Sequence, residues 1–213
     1  MIHPLPKELY DRAPQKDREQ IDKVHEAMQV YFTIMSARLL IRNEMSPIHR
    51  IYLESWYGIA SVDDIPNGTL NDPHYFPVRS LLKKGAQLMP TEHPVFDFLR
   101  HFYHKLYTEI MSDKECEGVS GIGEFRFPKS EILEMVREVF IDKGDEFSRD
   151  LEELCSGEET FDPLKVRDKY IARNINRTLI DGESGVLMIG QAHKVDQHLR
   201  EMGSDIEISH LRV

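Results

Sequence analysis

A histidine follows an apolar run near the end of the chain, at a position suited to catalysis. The run covers residues 186–189 and ends at Gly190, and His193 comes three residues later. An unbroken apolar run favours a parallel strand that is covered on both faces. Ligands of open α/β sheets bind beyond the carboxyl ends of the strands, so the sequence predicts that His193 lies in a functional site. The alternative is a histidine that only hydrogen-bonds to loop backbone.

Two glutamates follow other apolar runs in the same way. Glu54 comes directly after residues 51–53, and Glu92 follows the run at 85–89 and Pro90. If these strands are parallel neighbours, Glu54, Glu92 and His193 converge on a metal ion or an attacking water at one edge of the sheet. The alternative interpretation is two separate, solvated glutamates, because carboxylates in exposed loops are ordinary.

Length and charge restrict the classes of function. The chain has 213 residues, of which 40% are hydrophobic and 30% charged, and this predicts one globular domain over residues 1–213. The formal net charge is −10, and no long basic block offsets it. We therefore expect no nucleic-acid partner and no binding to an anionic membrane surface.

Cysteine use and hydropathy predict a soluble, cytoplasmic protein. The two cysteines, Cys116 and Cys155, are far apart in sequence and indicate neither a disulfide framework nor a thiolate zinc site. No apolar segment approaches the ~18 residues that suggest a membrane span. The first residues also lack the charged start and apolar run of a signal peptide.

Helical periods alternate with short strand-like runs along the chain. Asp162 and Pro163 form a helix start signal, an N-cap followed by a proline suited to the first helical position. The alternation predicts an α/β fold with a largely parallel sheet and helices packed on its faces. The predicted strands cover residues 48–54, 85–89, 185–190 and 206–211. The predicted helices cover residues 21–39 (ending before Pro47), 78–84, 96–110, 130–154, 163 to about 182, and 194–202.

The combination of four short motifs resembles the TraB/PrgY superfamily, which includes the TIKI proteins and is related to the erythromycin-esterase and ChaN-like proteins. The motifs are Ile-Tyr-Leu-Glu54, Gly-Ala-Gln-Leu-Met-Pro-Thr-Glu92, Arg167-Asp-Lys-Tyr-Ile-Ala-Arg, and Gly190-Gln-Ala-His193. The resemblance depends on the order and placement of the four motifs rather than on any one of them. The resemblance extends over most of the chain and is strongest from Arg167 onwards.

The resemblance implies an α/β fold with a defined set of site residues. The family pattern has two Gly-x-x-His motifs, a glutamate after the second strand and an arginine on the helix before the last motif. Gly190 and His193 correspond to the second Gly-x-x-His, Glu54 to the glutamate and Arg167 to the arginine, whereas Glu92 corresponds less securely. Family activities differ widely, from metal-dependent proteolysis and lactone opening to haem binding and pheromone shutdown, so the fold does not fix the function.

The amino-terminal residues depart from the family pattern. A family member is expected to begin with a strand that ends in the first Gly-x-x-His, but this chain begins Met1-Ile2-His3 without a strand or a glycine. In one interpretation the native protein continues upstream and His3 completes the motif as a partner of His193. In the other, His3 belongs to a disordered terminal tail, and the domain lacks its first strand.

The leading hypothesis is a hydrolase of peptide or ester bonds. In this hypothesis a divalent metal is held, or a water is positioned, by four side chains: His3, Glu54, Glu92 and His193. Arg167 would stabilise an oxyanion. Nitrogen and oxygen ligands accommodate manganese, cobalt and zinc alike, so the sequence does not select a metal. The hypothesis names Glu54, Arg167 and His193 as the catalytic residues.

Two alternatives come from other functional classes. A noncatalytic protein of the same fold would bind haem or another small ligand in the same crevice, without covalent attachment, because no Cys-x-x-Cys-His motif is present. An interaction protein would use the long first helix as a homodimer surface, although its apolar stripe is more often part of a core.

The pair His101 and His104 has metal-compatible spacing but no acidic partner, and we interpret it as surface.

Overall fold

The computed structural model describes residues 11, 14–54, 56, 58–61, 63, 75–99, 101–102, 127–190 and 192–210. A further helical segment begins at residue 94. The strands are β1 (Arg50–Leu53), β2 (Gln87–Met89), β3 (Phe127–Pro128), β4 (Thr160–Phe161) and β5 (Gly185–Met188). The helices are α1 (Gln15–Met45), α2 (Phe76–Leu82), α3 (Lys129–Val139), α4 (Gly144–Leu154), α5 (Pro163–Thr178) and α6 (Val195–Glu201).

The central sheet is parallel, as the sequence predicts. Its three strands have the order β2-β1-β5, and β1 pairs in parallel with both neighbours. In this register Tyr52 lies beside Met89 and Leu187, so the carboxyl ends of the three strands meet at one edge. The described residues therefore form a mixed α/β structure around a small parallel sheet.

Successive side chains of β1 point to opposite faces of the sheet. Helices pack on both faces and bury these side chains. Ile51 and Leu53 pack with Val78 and Leu81 in one buried cluster, which also includes Leu39 of α1. Tyr52 belongs to another cluster, with side chains from α5 and α6. A further cluster joins α3, α4 and α5 around the fully buried Val136, Phe161 and Val166.

The start of α5 agrees with its sequence signal. The Asp162 carboxylate accepts a hydrogen bond from the Lys165 backbone N–H at 3.1 Å, and Pro163 is the first helical residue. The helix ends at Thr178, earlier than the predicted end near Gly182. Its buried face carries Val166, Ile171 and Ile175, which places α5 against the sheet and leaves its first turns beside the strand ends.

The prediction of a strand at 206–211 is wrong for its described residues. Residues 206–210 pair with no strand, and Ile206 and Ile208 pack instead against the cluster that contains Ile171. Alternation of apolar and polar residues reports that one side of the segment is buried. It does not report that a neighbouring strand is available for hydrogen bonding.

The predicted single helix over 130–154 is two helices. The chain leaves helical geometry at Phe140 (φ −99°, ψ 70°), and α4 begins at Gly144. A Cβ atom at Gly144 would lie 2.6 Å from the Arg137 carbonyl oxygen, so only glycine permits this close approach of the two helices. The break folds α4 back against α3 and lets both contribute to one buried cluster.

We expect Gly144→Ala to destabilise the protein by about 2 kcal/mol, because the added methyl group meets backbone that cannot rotate away. For a chain of this size the loss corresponds to a decrease of about 6 °C in Tm, which thermal unfolding followed by circular dichroism would measure. Gly58→Ala is the matched control, since a Cβ there meets nothing within 4 Å. Equal Tm values for the two variants would contradict the close packing at Gly144.

The antiparallel pair β3 and β4 was not predicted. Phe127 pairs with Phe161 and Pro128 with Thr160. Each strand has only two residues, which is too short to show the alternation from which strands are recognised. The pair brings Phe161 into the cluster of α3 and α4, just before α5 begins.

No helix in the described part of the chain is long and apolar enough to cross a membrane.

Cys155 is a buried free thiol, and burial raises its pKa to about 11, with the nearby Glu158 carboxylate adding to the effect. The other cysteine, Cys116, lies outside the described residues.

Candidate functional site

Glu54, Glu92 and His193 lie together at the carboxyl edge of the parallel sheet. Glu54 is the residue after β1, and its Oε2 accepts a hydrogen bond from the Gly190 backbone N–H at 3.1 Å, just beyond β5. His193 Nε2 lies 3.4 Å from Glu54 Oε1. The apolar strands thus deliver one acid and one imidazole to the same place.

Thr91 fixes the position of Glu92 beyond the end of β2. The fully buried Thr91 hydroxyl donates to the Leu53 carbonyl and accepts from the Trp56 backbone N–H at 3.2 Å. The backbone N–H groups of Thr91 and Glu92 both donate to the Trp56 carbonyl, at 2.8 and 2.9 Å. These bonds, here called the Thr91 clamp, tie the loop after β2 to the loop after β1.

Arg167 bridges the two glutamates. Its Nη1 lies 3.3 Å from Glu54 Oε1, and its Nη2 donates to Glu92 Oε2. The Glu92 side chain is only 4% exposed, compared with 14% for Glu54 and 17% for Arg167. The single positive charge of the guanidinium therefore offsets the repulsion between two carboxylates in a poorly hydrated site.

Asp168 completes the site, and the sequence analysis assigned it no role. His193 Nδ1 donates to Asp168 Oδ1, and Asp168 Oδ2 accepts from the Lys194 backbone N–H at 2.6 Å. Asp168 is 2% exposed and lies on the buried face of α5, three residues before Ile171. An acid on the apolar face of an amphipathic helix was the available sequence signal, because such an acid needs a buried partner.

The five side chains form a continuous ionic chain, in the order Asp168, His193, Glu54, Arg167 and Glu92. Burial disfavours the charged imidazolium, but the Asp168 and Glu54 carboxylates outweigh it and raise the pKa of His193 to about 9. The hydrogen bond with His193 lowers the pKa of Glu54 to about 2 against its burial, and Arg167 adds to this effect. Both groups are therefore charged at neutral pH.

The described residues of this ionic chain do not fit a divalent metal in this arrangement. His193 has one nitrogen on Asp168 and the other near Glu54, while the Arg167 guanidinium occupies the cationic position between the glutamates. Among the described residues, no group of three His, Cys, Asp or Glu side chains is placed to hold a metal ion. His3, the fourth predicted ligand, lies outside the described residues.

His101 lies apart from this site. Its side chain is 71% exposed, and its Nδ1 is 2.7 Å from the Asp97 carbonyl oxygen, four residues earlier on the helical segment. This position agrees with its interpretation as a surface residue. His104 lies outside the described residues.

No family model matches the chain, and the searches of curated proteins and of solved structures gave no significant match. The fold and the ionic chain therefore assign the protein only to the class of mixed α/β proteins, with charged residues at the strand ends. The resemblance to the TraB/PrgY superfamily stays a prediction.

Proposed function

We propose that this protein is a hydrolase of ester or peptide bonds in which His193 activates a water molecule. The supporting observation is the ionic chain from Asp168 through His193 to Glu54 and Arg167, at the sheet edge where α/β proteins bind ligands. The motif order, with Glu54 after a strand, Arg167 on a helix and Gly190 before His193, also supports our proposal of a TraB/PrgY-type fold.

Each side chain has a distinct role in this proposal. Asp168 holds His193 by Nδ1, so when the imidazole is neutral its Nε2 no longer carries the proton that faces Glu54 and can accept one from water. Glu54 lies beside Nε2 and orients the attacking water. Arg167, which is always charged, stabilises the negative charge that develops on the carbonyl oxygen.

Catalysis by His193 has a predictable pH dependence. A general base must be neutral, and a pKa of about 9 leaves most of the imidazole protonated at neutral pH. Turnover of a panel of p-nitrophenyl esters and short peptides is therefore expected to rise with pH towards about 9. Glu54, with a pKa of about 2, is ionised throughout this range. We expect His193→Ala to lower kcat by about 10²- to 10⁴-fold.

The exposed His101 provides the matched control, and His101→Ala is expected to keep full turnover. Chelation of divalent ions with EDTA is expected to leave turnover unchanged, because Arg167 supplies the positive charge between the glutamates. Turnover that survives in His193→Ala, or that falls rather than rises between pH 7 and 9, would overturn the role given to His193.

A further inference from the structure

The long helix α1 carries apolar side chains on its surface. The exposed fraction is 48% for Val24, 47% for Tyr31, 42% for Ile34, 60% for Ile41 and 76% for Met45. Leu39 is the only buried residue of this 31-residue helix. Val24 and Tyr31 belong to the apolar stripe of the predicted helix 21–39, and their exposure shows that the interpretation of this stripe as core is wrong for these two residues. Extended apolar surfaces of this kind mark interaction sites.

These side chains follow a seven-residue repeat. Val24, Tyr31 and Met45 lie at multiples of seven, with the exposed Arg38 at the position between Tyr31 and Met45, and Ile34 and Ile41 form a second row, displaced by three residues. Such a pattern is the signature of a helix that pairs with another helix along one seam, here called the α1 seam. The α1 seam runs for about 30 Å, at ~1.5 Å per residue.

The α1 seam is not the side of the helix that packs on its own domain. The domain side carries Leu39 and Met35, which contact the cluster containing Val78 and Leu81 of α2. The helix is thus held to the domain along one side and presents the seam on another. Its exposed residues are then positioned before any partner binds, so pairing does not require refolding of the helix.

We propose that the α1 seam binds the same seam of a second copy of this chain, with the two helices antiparallel. In the register that meshes the two rows, Val24 lies across from Ile41 of the second copy, and Tyr31 lies across from Ile34 of the second copy. Twofold symmetry repeats each contact, so the surface is complementary to itself.

Charge at the edge of the seam favours the antiparallel direction. Lys23 and Glu44 are exposed and each directly precedes a seam residue, Val24 or Met45. In the antiparallel register, Lys23 lies across from Glu44 of the second copy, and symmetry makes two such pairs of opposite charge. In a parallel pair Lys23 would instead lie across from Met28 of the second copy, which carries no charge, so no ion pair would form.

Sedimentation equilibrium of the full chain tests the interface. Wild type is expected to sediment with twice the 24.9 kDa mass of one chain. Ile34→Glu buries carboxylates near the centre of the seam and is expected to give a monomer with an unchanged circular dichroism spectrum. Ile141→Glu is the matched control, because Ile141 is 90% exposed outside α1, and this variant is expected to stay dimeric. A monomeric wild type, or a dimer that Ile34→Glu does not dissociate, would overturn the proposal.

Charge exchange tests the direction of the helices. Lys23→Glu and Glu44→Lys each create two like-charge pairs, and each is expected to raise the dimer Kd about tenfold at low salt. The double variant restores opposite charges and is expected to return to the wild-type Kd. A double variant as weak as the singles, or single variants with no effect, would exclude the antiparallel register.

Discussion

Replacing Arg167 with leucine destabilises the protein by about 3 kcal/mol, because it leaves the nearly buried Glu92 and the mostly buried Glu54 without their shared cation. The expected decrease in Tm is about 9 °C. Thermal unfolding at neutral pH would measure it. The loss is large because the guanidinium is buried with its partners and their lost hydration is not restored.

Two further variants separate this effect from the loss of a surface charge. Arg200→Leu removes an exposed arginine that pairs with Asp196 at 3.2 Å on α6, and a change below ~1 kcal/mol is expected. Combining Arg167→Leu with Glu92→Leu also removes the buried Glu92 carboxylate that has lost its cation. This double variant is expected to recover part of the lost stability. If Arg167→Leu and Arg200→Leu unfold at the same temperature, Arg167 is not the electrostatic bridge described here.

The second large effect concerns Asp168. An asparagine there has one oxygen, but Asp168 accepts from two groups, His193 Nδ1 and the Lys194 backbone N–H. If the amide oxygen serves Lys194, the amide nitrogen faces His193 and favours the tautomer with its proton on Nε2. Nε2 of His193 is then protonated and has no lone pair with which to accept a proton from water. We expect Asp168→Asn to lower kcat at least ~100-fold.

The pH profile distinguishes this positioning role from a general loss of structure. Asp168 contributes to the raised pKa of His193, so its neutral replacement lowers that pKa. The residual activity of Asp168→Asn should therefore rise at lower pH than that of wild type. Asp145→Asn removes a carboxylate that is 91% exposed and should change neither kcat nor the profile. A uniformly reduced rate with an unshifted profile would argue against the positioning role.

The strand ends could be predicted because apolar runs and parallel pairing are local and topological properties. The runs before Glu54, Glu92 and His193 become β1, β2 and β5, and a parallel sheet collects their carboxyl ends at one edge. The sequence pattern therefore indicates that these side chains are near one another. It does not contain their protonation states, which depend on the distances among five charged groups.

Other features depend on contacts that no local pattern records. The helix break before Gly144 is required by the approach of two helices, and the helical periods on both sides remain intact. The buried role of Asp168 depends on His193, which lies 25 residues away in sequence. The exposed seam of α1 has the same repeat as a core stripe, so only the structure shows that the other described residues do not cover it.

The Thr91 clamp also affects the cost of forming the site. Its hydrogen bonds extend the order of the sheet by several residues beyond the last paired positions of β1 and β2. In the proposed reaction the loop that carries Glu92 would lose little conformational entropy on substrate binding, because that entropy was already lost during folding. Folding and the proposed catalysis are thus linked thermodynamically, and part of the stability of the sheet is used to hold the charged groups at fixed positions.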